Sequence, residues 1–269
     1  AVCFEGPAER LDRTDVSQPA IFTASAAAVA ALDEALGDSR PEPGMMAGLS
    51  LGEYTALYAA DAIDFEPCLR LVAERGRLMQ QAAEASDSGM VSVLGLGEEA
   101  ARKLCEAAAE GDVLTPANFN CPGQVVLSGR SEACRRAAEL AGEYGAKAAK
   151  PLNVAGAFHS ELMAPAAEGL AKALAETDFR PPSRPVLSNV DAKPHEGPER
   201  IRERLIAQMT HPVRWEACVR AMIDGGVESF YEIGPGRVLA GLLRRIDRGR
   251  SVRSVNSAAA LSELAGEPA

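Results

Sequence analysis

The stretch Met45-Met46-Ala47-Gly48-Leu49-Ser50-Leu51-Gly52-Glu53-Tyr54 decides the fold of this chain. An apolar run leads into a serine between two glycines, and a helix-forming run from Thr55 to Ala60 follows. This Gly-x-Ser-x-Gly order predicts a nucleophile elbow, a strained strand-to-helix turn that exposes the serine Oγ. Both flanking residues are expected to be small because the helix folds back close to the strand. The backbone N–H after the serine and the helix N-terminus then face the place where an oxyanion forms.

The composition is that of a globular protein with a sizeable core. The 269 residues are 47% hydrophobic, which allows one large α/β domain or a domain with a smaller insert. The formal net charge of −10 argues against non-specific nucleic-acid binding. We expect no apolar run to reach the length of a membrane span, and we recognise no signal peptide. We therefore expect a cytoplasmic protein, take it to be a monomer, and expect neither nucleic acid nor membrane as a partner.

The cysteines give no sign of a disulfide frame or a zinc site. They are scattered, with no Cys-x-x-Cys pair and no histidine cluster nearby, so we interpret them as reduced thiols and expect no metal site. They are Cys3, Cys68, Cys105, Cys121, Cys134 and Cys218.

The rhythm of predicted elements changes at Ser86-Asp87-Ser88-Gly89. From there to residue 152, short strands and helices follow one another as β-α-β-β-α-β, the order of a ferredoxin-like unit. Outside this insert, strands alternate with helices, which predicts an α/β fold with a mostly parallel sheet covered by helices. The predicted organisation is a discontinuous core of residues 1–87 and 153–269, with a small subdomain of residues 88–152.

Within the core, four predicted elements surround the elbow. They are a buried helix from Ala20 to Ala35, a strand from Gly44 to Leu49, a helix from Phe65 to about Glu84, and a strand from Pro185 to Val190. Asp64 is the expected N-cap of the Phe65 helix.

A serine hydroxyl needs a base to become a nucleophile, and the chain has three histidines. His195 lies in a polar loop and is expected to be solvated. His211 precedes Pro212, where it is expected to serve turn geometry. His159 ends an apolar, small-residue loop and is the favoured base, although a histidine that merely packs a loop is the alternative.

No acidic residue carries the signature of a third triad member. Asp191 and Glu232 are conceivable, and a backbone carbonyl that orients the imidazole is a further alternative. The missing acid argues against a lipase or esterase, as does the lack of a His-Gly-Gly-Gly oxyanion run.

Two further polar features have open interpretations. Arg75, on the predicted helix from Phe65, is either a surface group or a bidentate clamp for a substrate carboxylate. The polar segment from Asn118 to Gln124 contains a Pro-Gly turn between apolar runs, which predicts a hairpin.

Together these segments resemble the malonyl-CoA:acyl carrier protein transacylases and the related acyltransferase domains of polyketide synthases. The resemblance runs along nearly the whole chain. It rests on Gly44–Tyr54 (GMMAGLSLGEY), Val72–Gln80 (VAERGRLMQ), Asn118–Val125 (NFNCPGQV), Gly156–Met163 (GAFHSELM) and Tyr231–Gly236 (YEIGPG).

The resemblance implies a hydrolase-like α/β core that carries the nucleophile, with a ferredoxin-like lobe packed over it. It implies that Ser50 accepts the acyl group and that His159 is the general base. The main-chain carbonyl of Gln208 then orients the histidine, and the backbone N–H of Leu51 forms half of the oxyanion hole.

The resemblance also implies the substrates. Arg75 pairs with the free carboxylate of a malonyl group, and Asn120 and Gln124 are assigned to substrate binding. Phe158 favours malonyl over methylmalonyl because its ring crowds an α-branch. The implied reaction moves malonyl from malonyl-CoA to the phosphopantetheine thiol of acyl carrier protein, without metal or redox cofactor, for fatty acid biosynthesis.

Three other functions stay open. One is a trans-acting acyltransferase of a polyketide pathway, with the same chemistry and another carrier. The second is a serine hydrolase or thioesterase that gives the acyl group to water. The third is a non-catalytic relic that only binds the carrier.

The sequence departs from the family at two places. The family usually has histidine before the serine, where this chain has Leu49. The N-terminal strand with its Gly-Gln-Gly-x-Gln motif, whose glutamine supplies a second oxyanion N–H, is absent. Because losing one such donor costs on the order of 10²–10³ in turnover, we expect an N-terminally extended chain to be more active and more stable.

An acidic carrier protein requires a locally basic docking face on an acidic chain. A basic cluster that is simply solvated is the alternative. The candidate residues are Arg135, Arg136, Lys147 and Lys150 on the insert, or Arg244 and Arg245 near the end.

Overall fold

The computed structural model describes residues 2–37 and 41–266. The helices are α1 (Val2–Glu5), α2 (Ala8–Leu11), α3 (Thr14–Leu36), α4 (Gly52–Ala59), α5 (Phe65–Glu84), α6 (Glu98–Ala109), α7 (Ser131–Leu140), α8 (Ala164–Ala175), α9 (Pro198–Gln208), α10 (Trp215–Asp224), α11 (Val238–Ile246) and α12 (Ala258–Gly266). The strands are β1 (Ser88–Leu94), β2 (Leu114–Cys121), β3 (Gln124–Arg130), β4 (Ala148–Pro151), β5 (Ser229–Ile233) and β6 (Ser251–Val255). A 3-10 turn, Glu161–Met163, precedes α8.

The helix that follows Ser50 is the centre of the largest apolar cluster. Tyr54 and Leu57 of α4 are fully buried, together with Phe22 of α3, Val72 of α5 and Leu170 of α8. Apolar residues at helical spacing give α5 a continuous buried face toward this cluster. Burying α4 in this way fixes the direction in which the elbow points.

Helix α5 has its predicted bounds, but its N-terminus is held differently from the prediction. Asp64 occupies the N-cap position and makes no side-chain hydrogen bond to the helix. Its carboxylate instead accepts a bond from the Arg180 guanidinium at 2.6 Å. Asp64 is therefore the N-cap residue, as predicted, but its side chain does not cap the helix.

The core contains less regular parallel sheet than the strand–helix alternation predicts. The segment before Ser50 meets the segment after Pro185 at a single parallel bridge, between Met46 and Val186. Among the described residues, the other parallel pairings are the ladder between β5 and β6 and a single bridge between Asn118 and Val213. The four-stranded sheet is antiparallel and lies in the insert. The α/β class is confirmed, but the prediction of a mostly parallel sheet is wrong. Alternating strands and helices in a sequence indicate the types of the elements and not which strands are hydrogen-bonded to each other.

The insert runs as β1-α6-β2-β3-α7-β4, and its sheet has the order β4-β1-β3-β2. All three strand pairings are antiparallel. Buried residues of α6 and α7 pack with the strands in a cluster that includes Leu104, Leu127 and Ala137. The insert therefore has a core of its own.

Helix α3 corrects one expectation from the sequence. Its 23 residues are long and apolar enough, by length and composition alone, to cross a membrane, a criterion that core helices of soluble proteins also meet. Here α3 is joined to α5 by polar contacts. The N–H of Thr14 donates to Gln80 Oε1 at 3.0 Å, and Gln18 binds Arg75.

The cysteines are free thiols, five of them buried, with Cys3 exposed. Burial raises the pKa of Cys134 to about 11 and that of Cys105 and of Cys218 to about 12. These three thiols are therefore protonated near neutral pH and are poor nucleophiles.

Candidate active site

Ser50 sits on a strained turn between the Met46–Val186 bridge and α4. Its φ is +52°, in the left-handed region that a serine rarely adopts. A Cβ at Gly48 would lie 2.0 Å from the backbone carbon of Gly52, so only glycine fits at position 48. A Cβ at Gly52 would meet nothing within 4 Å. The requirement for a small residue therefore holds at Gly48 and not at Gly52.

The main chain of the elbow is held by Asn189, which the sequence analysis did not single out. The N–H of Ser50 donates to Asn189 Oδ1 at 2.6 Å, and Asn189 Nδ2 donates to the Gly48 carbonyl at 2.8 Å. The Leu49 side chain packs into an apolar cluster with Leu187 and Trp215. Backbone bonds to Asn189 thus support the turn although residue 49 has no polar side chain.

His159 is the histidine that contacts Ser50. Its Nε2 lies 2.8 Å from Ser50 Oγ, and its Nδ1 lies 2.7 Å from the main-chain carbonyl of Gln208. Because a carbonyl only accepts, Nδ1 carries the proton and Nε2 is left to accept from the serine hydroxyl. Asp191 and Glu232 make their bonds elsewhere, to Arg204 and to backbone N–H groups of α11.

The electrostatics keep this imidazole neutral. Burial lowers the pKa of His159 to about 4, the positive charge of Arg75 lowers it as a second cause, and the bond to Gln208 opposes them. At neutral pH the side chain is therefore an unprotonated base.

Arg75 is buried beside Ser50, which excludes its interpretation as a surface group. The residue is 1% exposed, and its Nη2 donates to Ser50 Oγ and to Gln208 Oε1, each at 2.9 Å. Its Nη1 donates to Gln18 Oε1 at 2.5 Å, and its Nε has no acceptor. These hydrogen-bond acceptors are all neutral, and Arg75 forms no ion pair within the described ranges. A buried guanidinium without a paired anion is suited to receive a carboxylate.

The backbone N–H of Leu51 is available to an oxyanion. Leu51 directly precedes α4, and in the described part of the chain its N–H has no protein acceptor. It follows the nucleophile immediately, which is the position of an oxyanion donor at such an elbow.

The remaining predicted site residues are not bonded to this cluster. Asn120 lies near the end of β2 with a buried Oδ1 that lacks a partner, and Gln124 accepts from Arg245 at 3.1 Å. Phe158 packs on the insert, against the cluster of Met90, Ala117 and Val126.

Besides Asn189, two residues of the site were not recognised because their sequence surroundings look ordinary. Glu53 is an acid in the first turn of α4, where a solvated carboxylate is usual, and it is fully buried. His195, predicted to be solvated, is 6% exposed, and its Nε2 lies 2.8 Å from Glu53 Oε1. That interpretation of His195 is therefore wrong, because a contact across 142 positions leaves no local pattern.

A second polar feature is an open groove at the C-terminal end of α11, with a volume of about 580 Å³. We call it the arginine groove. It is lined by Gly241, Arg244, Arg245, Arg248 and Arg250. Within residues 2–37 and 41–266, no group of three or more His, Cys, Asp or Glu side chains is arranged to hold a metal ion.

Comparison with known proteins places this geometry in context. The family model for acyl transferase domains matches residues 1–265. The malonyl CoA-acyl carrier protein transacylase of Escherichia coli K12 is 44% identical over 262 residues, which are 97% of this chain and 84% of that protein.

Two solved structures extend the likeness to three dimensions. The malonyl CoA-acyl carrier protein transacylase of Coxiella burnetii superposes with a TM-score of 0.93 at 42% identity, covering 97% of this chain and 81% of that one. A malonyl-transacylase in complex with its type II PKS acyl-carrier protein gives a TM-score of 0.92 at 43% identity, with coverages of 96% and 82%.

Proposed function

The chain belongs to the family of acyl transferase domains, and from this membership we propose that it is an acyl carrier protein S-malonyltransferase. It transfers a malonyl group from malonyl-CoA to the phosphopantetheine thiol of acyl carrier protein and supplies fatty acid biosynthesis. The observation that carries the assignment is the contact of one buried cation, Arg75, with the Oγ of the nucleophile, Ser50. That contact supports the assignment, because a guanidinium beside Ser50 can pair with the carboxylate of a malonyl group.

In the first half-reaction, His159 Nε2 takes the proton of Ser50, and Oγ attacks the thioester carbonyl of malonyl-CoA. The tetrahedral oxyanion accepts the N–H of Leu51. When the intermediate collapses, the C–S bond breaks, and the CoA thiolate takes the proton from His159. Malonyl-serine remains.

The second half-reaction repeats these steps with another thiol. The phosphopantetheine thiol gives its proton to His159 and attacks the malonyl-serine ester. The C–O bond breaks, Ser50 recovers the proton from His159, and the malonyl thioester leaves on the carrier. The chain's own residues supply the base, the oxyanion donor and the clamp, and the proposal includes neither metal nor redox cofactor.

Substrate selection follows from two residues. Arg75 offers two N–H groups in a planar fork, which matches a carboxylate. Phe158, immediately before the base, crowds an α-methyl group and so favours malonyl over methylmalonyl. An extra methyl group is worth roughly 10- to 200-fold in a fitted pocket, and comparable acylation by methylmalonyl-CoA would contradict this assignment.

We further propose that residues 88–152 form a ferredoxin-like lobe on a hydrolase-like core of residues 1–87 and 153–269. The strand order of the insert and its separate apolar cluster support this division. The free cysteines support a cytoplasmic location.

Intact-mass spectrometry after addition of malonyl-CoA tests the proposed function. The chain should gain the mass of one malonyl group, and Ser50→Ala should not. Ser131→Ala, which removes a hydroxyl bonded to Asp87 at the surface, is the matched control and should keep the adduct. A Ser50→Ala variant that still acquires the adduct would refute the assignment of the nucleophile.

A second experiment tests Arg75 as the clamp for the malonyl carboxylate and uses another arginine of α5 as its control. Arg75→Ala should lose acylation by malonyl-CoA while relatively sparing acetyl-CoA, because only malonyl carries the carboxylate. Arg77→Ala removes an exposed arginine that is paired with Glu74 and should leave both rates unchanged. Equal losses with the two thioesters in Arg75→Ala would rule out the clamp.

A polyketide carrier is the second candidate acceptor, because one similar structure is a malonyl-transacylase bound to a type II PKS acyl-carrier protein. Steady-state transfer to a fatty acid carrier and to a polyketide carrier separates the two, since the true partner has the higher kcat/KM. Hydrolysis of malonyl-CoA as fast as transfer would instead favour a hydrolase.

A further inference from the structure

Gln208, the last residue of α9, connects the base to the guanidinium. It is fully buried. Its main-chain carbonyl accepts from His159, and its Oε1 accepts from Arg75. Its Nε2 donates to Glu53 Oε2 at 2.8 Å and to the Ser50 carbonyl at 3.1 Å. A change in the orientation of this amide would therefore alter what Arg75 can bind.

The orientation of the Gln208 amide is determined by its neighbours. Arg75 can only donate, and a carboxylate can only accept. With Glu53 on one side, Nε2 must face the carboxylate and Oε1 must face the guanidinium. Rotating the amide by half a turn would bring a donor onto Arg75 and an oxygen onto Glu53, two repulsive contacts in a buried site.

Glu53 is itself held in place by buried donors. Its Oε2 accepts from the Asn189 N–H at 2.9 Å as well as from Gln208, and its Oε1 lies 2.8 Å from His195 Nε2. In the described residues it forms no ion pair with lysine or arginine. The Glu53 carboxylate therefore links Gln208 to Asn189. The side chain of Asn189 in turn binds the Ser50 N–H and the Gly48 carbonyl.

We propose that Glu53 is a positioning residue: through the Gln208 amide it keeps Arg75 aligned for carboxylate-bearing acyl groups, and His195 holds Glu53 in that role. The inference rests on the proposed function, because it concerns selection of malonyl at the same site. Glu53 makes no hydrogen bond to Ser50 Oγ or His159, so its effect on the reaction is indirect.

Replacing Glu53 by methionine tests the proposal. Glu53→Met keeps a side chain of similar length and removes both acceptors, so the Gln208 amide can turn away from Arg75. We expect the ratio of kcat/KM for Ser50 acylation by malonyl-CoA over acetyl-CoA to fall about tenfold or more, as for the loss of a hydrogen bond to a charged group. Glu53→Gln can still accept from Gln208 and should keep the ratio.

A matched control separates this role from plain stability. Glu232 is another buried carboxylate, and it accepts backbone N–H bonds at the start of α11. Glu232→Met should lower stability and leave the ratio of the two acylation rates unchanged in folded protein. If Glu53→Met behaves like Glu232→Met, the positioning role is overturned.

A double-mutant cycle shows whether Glu53 acts through Gln208. Gln208→Met keeps the main-chain carbonyl that His159 needs and removes the amide. If the proposal holds, adding Glu53→Met to Gln208→Met lowers the selectivity ratio no further, whereas additive losses overturn it. Where Glu53→Met does not fold, Glu53→Asp withdraws the oxygens from Gln208 and should lower the ratio partway; an unchanged ratio counts against the role.

The readout also distinguishes the two proposals. A wild-type chain that forms no malonyl-serine refutes the proposed function itself. A wild-type chain that forms it, with an unchanged ratio in Glu53→Met, refutes only the role of Glu53. If Glu53→Gln also lowers the ratio of kcat/KM for malonyl-CoA over acetyl-CoA, the effect comes from the charge of Glu53, and the positioning role is overturned.

Discussion

Arg75 is a buried cation that forms no ion pair among the described residues, and the nearby Glu53 carboxylate reaches it only through the Gln208 amide and through space. Its guanidinium donates to amide oxygens and to Ser50 Oγ and lies over the Tyr54 ring, and its Nε has no hydrogen-bond partner. Such burial costs free energy unless a ligand later completes the site. The same charge also acts on the base, because it disfavours a second positive charge on His159.

The pH dependence of acylation should report this coupling. His159 must be neutral to accept the proton of Ser50, so kcat/KM is retained above its pKa of about 4 and lost as the pH falls through that value. In Arg75→Ala the cation that opposes protonation is gone, so the pKa rises and the acid limb moves to higher pH. Acetyl-CoA as substrate for both proteins isolates this effect. An acid limb at the same pH in both would show that Arg75 does not influence the base.

At the scale of elements, the two glycines of the elbow differ: the fold requires glycine at position 48 but not at position 52. The segment before Ser50 passes so close to α4 that no side chain fits at position 48, whereas position 52 opens to free space. The sequence motif treats the two glycines alike. Only the path of the chain distinguishes them.

The two glycines should therefore respond in opposite ways to substitution by alanine. Gly48→Ala forces the backbone apart and should lower the free energy of unfolding by roughly 1–3 kcal/mol or more. Gly52→Ala lies in the first turn of α4 and should change stability little or raise it by about 0.5–1 kcal/mol. Urea denaturation measures both. Equal destabilisation by the two changes would contradict the close approach at Gly48.

The amphipathic helices were the most predictable elements. Helix α5 has its predicted bounds, Phe65–Glu84, since its apolar spacing is a local pattern. The segment from 185 to 190 was predicted as a strand, and there only Val186 and Leu187 form bridges. Pairing depends on which distant segment lies alongside, and a local pattern does not contain that information. Strand β6 and the short helices α1 and α2 were missed for want of a strong pattern.

At the scale of the whole molecule, the insert contacts the catalytic loop directly. Ser128 of β3 is fully buried, and its Oγ donates to the Phe158 carbonyl at 2.7 Å. Phe158 immediately precedes His159, whose φ of +57° is strained. The insert therefore contributes to holding the base.

Removing that contact should slow acylation as well as lower stability. Ser128→Ala leaves the Phe158 carbonyl without its donor, which costs about 1–3 kcal/mol and loosens the position of His159. We expect acylation by malonyl-CoA to slow severalfold, with malonyl and acetyl affected alike because Arg75 is untouched. Stopped-flow acylation of Ser128→Ala against the Ser131→Ala control measures it. An unchanged rate would limit the contact to packing.

Charge distribution distinguishes the two candidate docking faces for the carrier. On α7, Arg135 pairs with Glu132 and Glu139, and Arg136 pairs with Asp112. On α11, Arg244 forms no ion pair among the described residues and is exposed in the arginine groove. Lys147 and Lys150 of the insert are also exposed and form no ion pair among the described residues. The α11 set is therefore favoured by the four arginines that line one groove there, Arg250 being paired with Asp247.

Charge reversal tests that choice. Arg244→Glu together with Arg248→Glu should raise the KM for acyl carrier protein about tenfold or more, as for an interface charge turned repulsive, and should leave the first acylation by malonyl-CoA unchanged. The wild-type KM for the carrier should rise with salt, because the attraction is screened. Arg135→Glu is the control on the other face. A larger effect of Arg135→Glu would move the docking face to the insert.

The sequence by itself identified the family and predicted Ser50 as nucleophile and His159 as its base, because Gly-x-Ser-x-Gly and the histidine loop are local patterns. It also determined the insert, whose elements are nearest neighbours along the chain. Only the tertiary structure decided that Arg75 is buried and that Asn189 holds the elbow. It likewise decided that Glu53 and His195 form a buried pair. Those contacts join residues as much as 142 positions apart, so no local pattern predicts them. A charged residue that the fold buries also cannot be told from a surface charge in the sequence alone.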